Sequence, residues 1–119
     1  MAKKEVEMLT VDQILDSVDF KEEVIEITEW GGSVKIRSLN IEQMQRIRKN
    51  SVLAEGAIDE EKFGMLLFIE GVSEPKFDES HVDKLKTKNL MAYGRVITRL
   101  QELCGLGGEE AKEAKKLFT

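Results

Sequence analysis

The sequence contains one cysteine, one histidine and no long apolar run. A single cysteine, Cys104, excludes an internal disulfide framework and is typical of a protein from a reducing compartment. The longest apolar run, from Met65 to Ile69, is far shorter than the roughly 18 residues that a membrane-spanning helix needs. The opening residues Met1 to Lys4 are basic, but no apolar segment follows them, so we expect no signal peptide. These absences together predict a cytoplasmic protein.

An excess of positive charge is also lacking. The chain has 18 Lys and Arg against 23 Asp and Glu, which gives a net charge of −5. A nucleic-acid backbone is bound by a positive stripe, whereas the basic residues here are interspersed with acidic ones, so we expect no nucleic-acid partner. With 119 residues, 41% of them apolar, the chain can form one domain with a modest core. We predict a flexible N-terminus over residues 1–9 and a single domain over residues 10–119.

The residues that carry chemistry are sparse as well. His81 has no second histidine and no cysteine near it in the sequence, which argues against a zinc site. A Cys104–His81 dyad is the remaining catalytic alternative, because the partners of a dyad meet in space. Cys104 lies on the apolar face of a predicted helix, however, and this favours an inert, buried thiol. The paired glycines lack the lysine of a phosphate-binding loop. We therefore predict no enzyme activity, no catalytic residue, no metal and no cofactor.

The clearest local pattern that is present predicts a β-hairpin. Two β-rich runs, residues 23–30 and 33–39, are separated by Gly31-Gly32, the two-residue loop typical of a type I′ or II′ turn. That loop predicts a register in which Ile27 faces Ile36. Alternation then gives one charged and one apolar face, the latter formed by Ile25, Ile27, Val34 and Ile36. An isolated hairpin is marginally stable, so the apolar face must pack on helices or on another chain.

Capping residues predict where the helices begin. Thr10 and Asn40 are N-caps, each followed three positions later by the glutamine of a capping box. Asp59 begins a third helix that is apolar almost all round and ends at Gly71. A longer helical stretch over residues 78–103, with a break near residue 87, ends before Gly105 at the C′ position. A short charged helix over residues 109–118 follows.

The first helix is short, and its apolar residues share one face. They are Val11, Ile14, Leu15 and Val18, spaced at i, i+3, i+4 and i+7. A helix of this length is not stable by itself, so it needs something to pack against. The predicted fold class is α+β, mainly α, with one N-terminal β-hairpin packed with about five short helices.

Three apolar residues are candidate partner contacts. Trp30, the sole tryptophan, is placed at the tip of the predicted hairpin. It either covers a helix end or is an exposed aromatic anchor of the kind enriched in interface hot spots. Leu117 and Phe118 end a short, highly charged helix beyond a double glycine. This pair either docks back on the domain or is offered to a partner.

The hairpin and the C-terminal segment together resemble a known family. Glu29 to Leu39 has the form W-G-G-x-V-x-I-R-x-L and is followed at once by a helix, and Leu103 to Phe118 closes the chain. Both segments, in this order and at this distance, resemble the small tail assembly chaperones of long-tailed bacteriophages and of prophages of Gram-positive bacteria. The similarity spans roughly residues 8 to 118. It implies a single tail-assembly-chaperone-like domain over residues 10–119 and supplies no catalytic residues.

The resemblance also implies a function and partners. Such chaperones bind the phage tape measure protein, keep it soluble and help recruit tail tube subunits during virion morphogenesis. They act in the bacterial host cytoplasm and are absent from the mature virion. Many also have a longer, frameshifted form, so this chain would be the short form or a truncation. The partners expected are therefore the tape measure protein, the major tail tube protein and a second copy that pairs through the exposed hairpin edge. No nucleic acid and no membrane is expected. The alternative is a small helical adaptor or regulatory protein of a mobile element.

Overall fold

The computed structural model describes residues 7–106, and within that range it contains five α-helices and three β-strands. The helices are α1 (Val11–Asp16), α2 (Ile41–Asn50), α3 (Glu60–Gly71), α4 (Val82–Leu85) and α5 (Leu90–Leu103). The strands are β1 (Glu22–Ile27), β2 (Gly32–Arg37) and β3 (Val72–Glu74). The predicted helix over residues 109–118, with Leu117 and Phe118, and most of the predicted flexible N-terminus lie outside the described residues.

The predicted fold class is wrong in its account of the sheet and of the helices. The strands form a three-stranded antiparallel sheet in the order β1-β2-β3, so the hairpin is not a separate N-terminal unit. β3 follows α3 directly and is too short, at three residues, to show the alternation that marks a strand. The helices are not uniformly short either, since α3 has 12 residues and α5 has 14.

The predicted register of the hairpin is also wrong, whereas the predicted apolar face is confirmed. Ile36 pairs with Glu23 rather than with Ile27, because Thr28–Trp30 leave the strand and form a 3₁₀ turn. Gly31 closes this turn with φ at 73°, in the left-handed region that glycine adopts without strain. The shift is four residues along β1, an even number, so every side chain keeps its face.

The helix ends follow their capping signals closely. The Gln13 N–H donates to Thr10 Oγ1 at 3.2 Å, and the Thr10 N–H donates to Gln13 Oε1 at 2.9 Å. Asn40 makes the same reciprocal pair with Gln43 at the start of α2, so both predicted capping boxes are confirmed. At the end of α5 the Leu106 N–H donates to the Gln101 carbonyl at 2.6 Å, which is the hydrogen bond between positions C″ and C3 of a Schellman motif.

The core lies between the sheet and the helices. α5 packs across β1 and β2, α3 packs against α5, and α2 packs against α3. The apolar side chains that are at most 2% exposed come from α2, α3, α5 and the three strands, and they are Ile27, Ile36, Ile47, Leu67, Phe68, Val72, Ala92, Val96 and Leu100. The opposite, outer face of the sheet carries exposed and half-buried side chains from Glu22, Val24, Glu26, Ser33, Lys35 and Arg37. The structure therefore has one sheet layer and one helical layer.

Two bidentate ion pairs join α5 to the hairpin. Arg99 donates to both carboxylate oxygens of Glu23, with the shortest distance at 2.7 Å. Arg95 donates to the two carboxylate oxygens of Glu29 at 2.8 and 2.9 Å. Bidentate geometry makes such pairs stronger than ordinary surface ion pairs, although both are partly exposed and screened.

The Glu29–Arg95 pair predicts a specific acid sensitivity. The Arg95 hydrogen bonds hold the pKa of Glu29 at about 2, below its usual 4.5. A carboxylate whose pKa is lowered by folding adds stability above its unfolded pKa and loses it as pH falls through its folded pKa. The stability gap between wild type and Glu29→Gln should therefore shrink as pH falls from 4.5 to about 2. Denaturant midpoints measured across this range test it, and a constant gap would contradict it.

Candidate functional site

Two apolar surfaces of the described chain are uncovered, and the first is the N-terminal segment. We call residues 7–20 the N-terminal arm. No residue of α1 is buried. The exposed apolar side chains of the arm are Met8, Leu9, Val11, Ile14, Leu15, Val18 and Phe20. Monomeric proteins rarely expose a contiguous apolar ridge of this kind unless it binds something.

The arm contains a helix, α1, that does not pack against the rest of the described chain. α1 has six residues, whereas isolated helices shorter than about 12–15 residues are marginal in water. Its capping box satisfies the first N–H groups, yet the apolar face that would stabilise it contacts no core. The arm is fixed at its far end, where the Arg37 guanidinium lies 3.5 Å from the centre of the Phe20 ring on the outer face of the sheet. The ridge of α1 is therefore available to a partner.

The second uncovered surface is a groove in the helical layer, which we call the helical groove. It is open, has a volume of about 1370 Å³, and is bounded by α2, α3, α4 and α5. Its apolar lining includes Met44, Phe63, Leu66, Val82, Tyr93 and Ile97. Helix-binding proteins use grooves lined in this way, with flexible methionines that adapt to the bound face.

The floor of the helical groove is an uncovered part of the core. α3 is apolar almost all round, and a helix of that kind is normally buried on every side. Its second half meets this expectation, since Leu67, Phe68 and Ile69 are buried. In the first half, Phe63 and Leu66 are only half-buried because the groove leaves one side of α3 uncovered.

Tyr93 forms one wall of the groove and links it to the core. Its ring stacks on Phe68 with centroids 5.4 Å apart, and burial raises the pKa of its hydroxyl. A Cβ at Gly64 would lie 3.2 Å from that hydroxyl, so the missing side chain lets Tyr93 lie against α3. The wall is thus held by aromatic packing rather than by a mobile surface side chain.

Trp30 lies against the core rather than standing free. Its ring meets Phe68 edge-on with centroids 6.3 Å apart, and the side chain is half-buried. Its Nε1 is buried and has no hydrogen-bond acceptor among the described residues. This position is closer to the alternative in which Trp30 covers a helix end, although the ring covers Phe68 within α3, and its role as a partner contact stays a prediction.

Cys104 and His81, the pair considered for catalysis, have separate local roles. The Cys104 Sγ accepts the Leu39 N–H at 3.5 Å, and burial raises the pKa of the thiol, so it is protonated near neutral pH. His81 Nδ1 accepts the Asp78 N–H at 3.0 Å in a capping box, and its ring meets Phe77 edge-on. Within residues 7–106 no cluster of three or more His, Cys, Asp or Glu side chains is placed to hold a metal ion.

Sequence reasoning found the apolar residues Val11, Ile14 and Leu15 of α1 but extended their helix to Val18, beyond its end at Asp16, and it missed the helical groove. The groove joins α2, α4 and α5 around α3, and no short stretch of sequence encodes that arrangement. The one available signal was the pattern of α3, which is apolar almost all round. Its two neighbours, α2 and α5, do not cover all of that apolar surface.

Over residues 7–106 no helix is long and apolar enough to cross a membrane.

Comparison with known proteins identifies a structural relative but no family. No protein-family model and no curated protein matches this chain. The crystal structure of the protein YqbN superimposes with a TM-score of 0.62 over 87% of this chain and 100% of that chain, at 13% sequence identity. At this level of identity the match shows that the fold is shared.

Proposed function

We propose that this protein is a non-catalytic bacteriophage tail assembly chaperone that holds the tape measure protein in its helical groove. The observation that supports the proposal most directly is the uncovered floor of that groove, where Phe63 and Leu66 are only half-buried although Leu67, Phe68 and Ile69 of the same helix are buried. The resemblance of residues 29–39 and 103–118 to this chaperone family supplies the identity of the client.

The groove suits a long helical client. An amphipathic helix lays its apolar face into a hydrophobic groove and is held by side chains one turn apart. Such a surface takes successive segments of a helical protein without demanding one sequence, because Met44 and Met65 line it and methionine adapts its shape. The dense surface charge, with 34% charged residues, keeps the complex soluble in the host cytoplasm.

Recruitment of tail tube subunits, the second part of the proposed function, calls for a surface other than the groove. The sheet order leaves β1 as an edge strand, because β2 is paired on both sides by β1 and β3. An exposed edge offers main-chain donors and acceptors to another strand. The strand Glu22–Ile27 is accordingly the surface for a tube subunit or for self-association through the hairpin edge.

Two exposed aliphatic residues, one in the groove and one outside it, allow a matched test of the groove. Leu90, the first residue of α5, lines the groove and is 78% exposed, whereas Ile41, the first residue of α2, lies outside its lining and is 77% exposed. An aspartate is tolerated at either place because the helix dipole favours negative charge there. We expect Leu90→Asp, which places a charge against the apolar face of the client, to bind the tape measure protein of the same genome about tenfold more weakly, and Ile41→Asp to bind it normally.

The measurement is co-expression followed by quantification of soluble tape measure protein. Wild type and Ile41→Asp should raise the soluble fraction, and Leu90→Asp should raise it much less. If wild-type protein leaves that solubility unchanged, the chaperone assignment fails. Salt-sensitive binding to duplex DNA, or capture of an unrelated protein in place of the tape measure protein, would favour the adaptor or regulatory alternative.

A further inference from the structure

The hairpin turn, residues 28–31, is joined to the helical layer by two contacts from adjacent side chains. The Trp30 ring meets Phe68 of α3, and the carboxylate of Glu29 is bound by Arg95 of α5. We infer that the Glu29–Arg95 ion pair holds the turn in a closed state, and that its release opens the turn locally and exposes Trp30. An exposed tryptophan is a residue type enriched in interface hot spots.

The packing of Trp30 alone stabilises the closed state only weakly. Its ring meets Phe68 edge-on with centroids 6.3 Å apart, towards the long end of the range of about 4.5–7 Å for aromatic pairs. Its Nε1 is buried and finds no hydrogen-bond acceptor within residues 7–106. A buried donor without an acceptor costs free energy, which partly offsets the gain from burying the ring. The closed state therefore depends on a further contact.

The turn can open while the sheet stays folded. Thr28–Trp30 form a 3₁₀ turn that is closed by the Gly31 N–H, which donates to the Thr28 carbonyl at 3.1 Å. The last pair of the β1–β2 ladder, Ile27 with Gly32, lies before and after these residues. Opening of residues 28–31 thus breaks no pair of the ladder, and local openings of this kind cost less than global unfolding.

The Glu29–Arg95 pair is placed to supply the further contact. Arg95 lies within α5 and donates to both carboxylate oxygens of Glu29, at 2.8 and 2.9 Å. Bidentate geometry of this kind fixes the orientation of the carboxylate as well as its distance. Because Glu29 directly precedes Trp30, a fixed Glu29 also fixes where the indole lies. None of these three residues lines the helical groove.

A second bidentate pair on the same helix supplies a matched control. Arg99 lies one turn after Arg95 and binds Glu23, which is at the opposite end of β1 from the turn. Arg99 also contacts Glu102 at 3.2 Å, so Arg99→Gln removes two ion pairs whereas Arg95→Gln removes one. Arg99→Gln should therefore lower the global stability at least as much, yet leave Trp30 closed.

Exchange of the indole N–H with water, followed by NMR, measures the opening directly, and acrylamide quenching of the sole tryptophan measures it independently. Relative to wild type, we expect Arg95→Gln to exchange about tenfold faster and to have a quenching constant about twofold larger. Both values should be unchanged in Arg99→Gln. Equal increases in the two variants, or no increase in Arg95→Gln, overturn the inference.

Far-UV circular dichroism establishes that each variant is folded under the conditions of the exchange measurement. If either arginine variant is unfolded, Glu29→Gln and Glu23→Gln take their places with the same expectations, because they weaken the same two pairs from the hairpin side.

The double variant Glu29→Gln/Arg95→Gln tests whether the two residues act as one pair. Residues in direct contact have non-additive effects, so the double variant should expose Trp30 no more than Arg95→Gln does. If the two changes add, Arg95 acts on the indole without Glu29 and the inference fails. These measurements need no client protein, so their failure leaves the chaperone proposal standing.

Discussion

Replacing Phe68 with alanine is expected to lower the free energy of unfolding by about 3–5 kcal/mol. Phe68 is fully buried, and its ring contacts Trp30, Phe77 and Tyr93 with centroids 6.3, 5.2 and 5.4 Å away. The substitution removes both the buried area of the ring and the aromatic pairing, and it leaves a cavity that the surrounding helices cannot fill. It also removes the support of Tyr93, so the wall of the helical groove should loosen.

Urea denaturation followed by far-UV circular dichroism measures the loss. Because Trp30 is the sole tryptophan and meets the Phe68 ring, its emission should shift to longer wavelength in the folded variant. Phe20→Ala is the matched control, since Phe20 is 39% exposed and lies on the outer face of the sheet. We expect the control to cost less than about 1 kcal/mol. Equal losses in the two variants would contradict the placement of Phe68 at the centre of the core.

The starts of α1, α2 and α3 were predictable because an N-cap is a local motif, whereas the predicted first helix ran to Val18 and α1 ends at Asp16. Thr10 and Asn40 each exchange hydrogen bonds with a residue three positions away, so the whole motif is contained in four residues of sequence. Asp59 similarly accepts the Lys62 N–H at 3.2 Å. No tertiary contact is needed to decide these bonds, and the sequence is sufficient.

The register of the hairpin could not be predicted from neighbouring residues alone. Alternation along each strand fixes which side chains share a face, and this part of the prediction was right. The register depends on how the chain turns, and in this turn Trp30 leaves the strand and its ring meets Phe68 of α3. A non-local contact thus accompanies the longer loop and the four-residue shift of β1, and neighbouring residues in the sequence do not reveal it.

The third strand and the groove depend on tertiary arrangement still more. β3 pairs with β2 through Lys35–Glu74 and Ile36–Val72, with an irregularity between the two pairs. A segment of three residues is too short to show a periodic pattern. It can pair with β2 only because α3, which precedes it, places it at the edge of β2. The apolar ridge of α1, in contrast, could be read from the sequence, together with the requirement that something must cover it.

Replacing Gly71 with alanine is expected to destabilise the protein by about 2–3 kcal/mol. Gly71 ends α3 immediately before β3, and a Cβ built on it would overlap Leu100 Cδ2 and lie 3.1 Å from Leu100 Cγ. Leu100 is fully buried, so its side chain cannot turn away without displacing the core. The close approach of α3 to α5 therefore requires glycine at this position.

Gly94→Ala is the control, because it makes the same chemical change on the neighbouring helix with the opposite expected sign. A Cβ at Gly94 would meet no atom within 4 Å, and the residue lies within α5, where alanine is favoured over glycine by roughly 0.5–1 kcal/mol. Urea denaturation of the two variants should thus move their midpoints in opposite directions. If Gly71→Ala were neutral or stabilising, α3 and α5 would be further apart than the structure places them. The floor of the helical groove, which α3 forms beside α5, would then be wider as well.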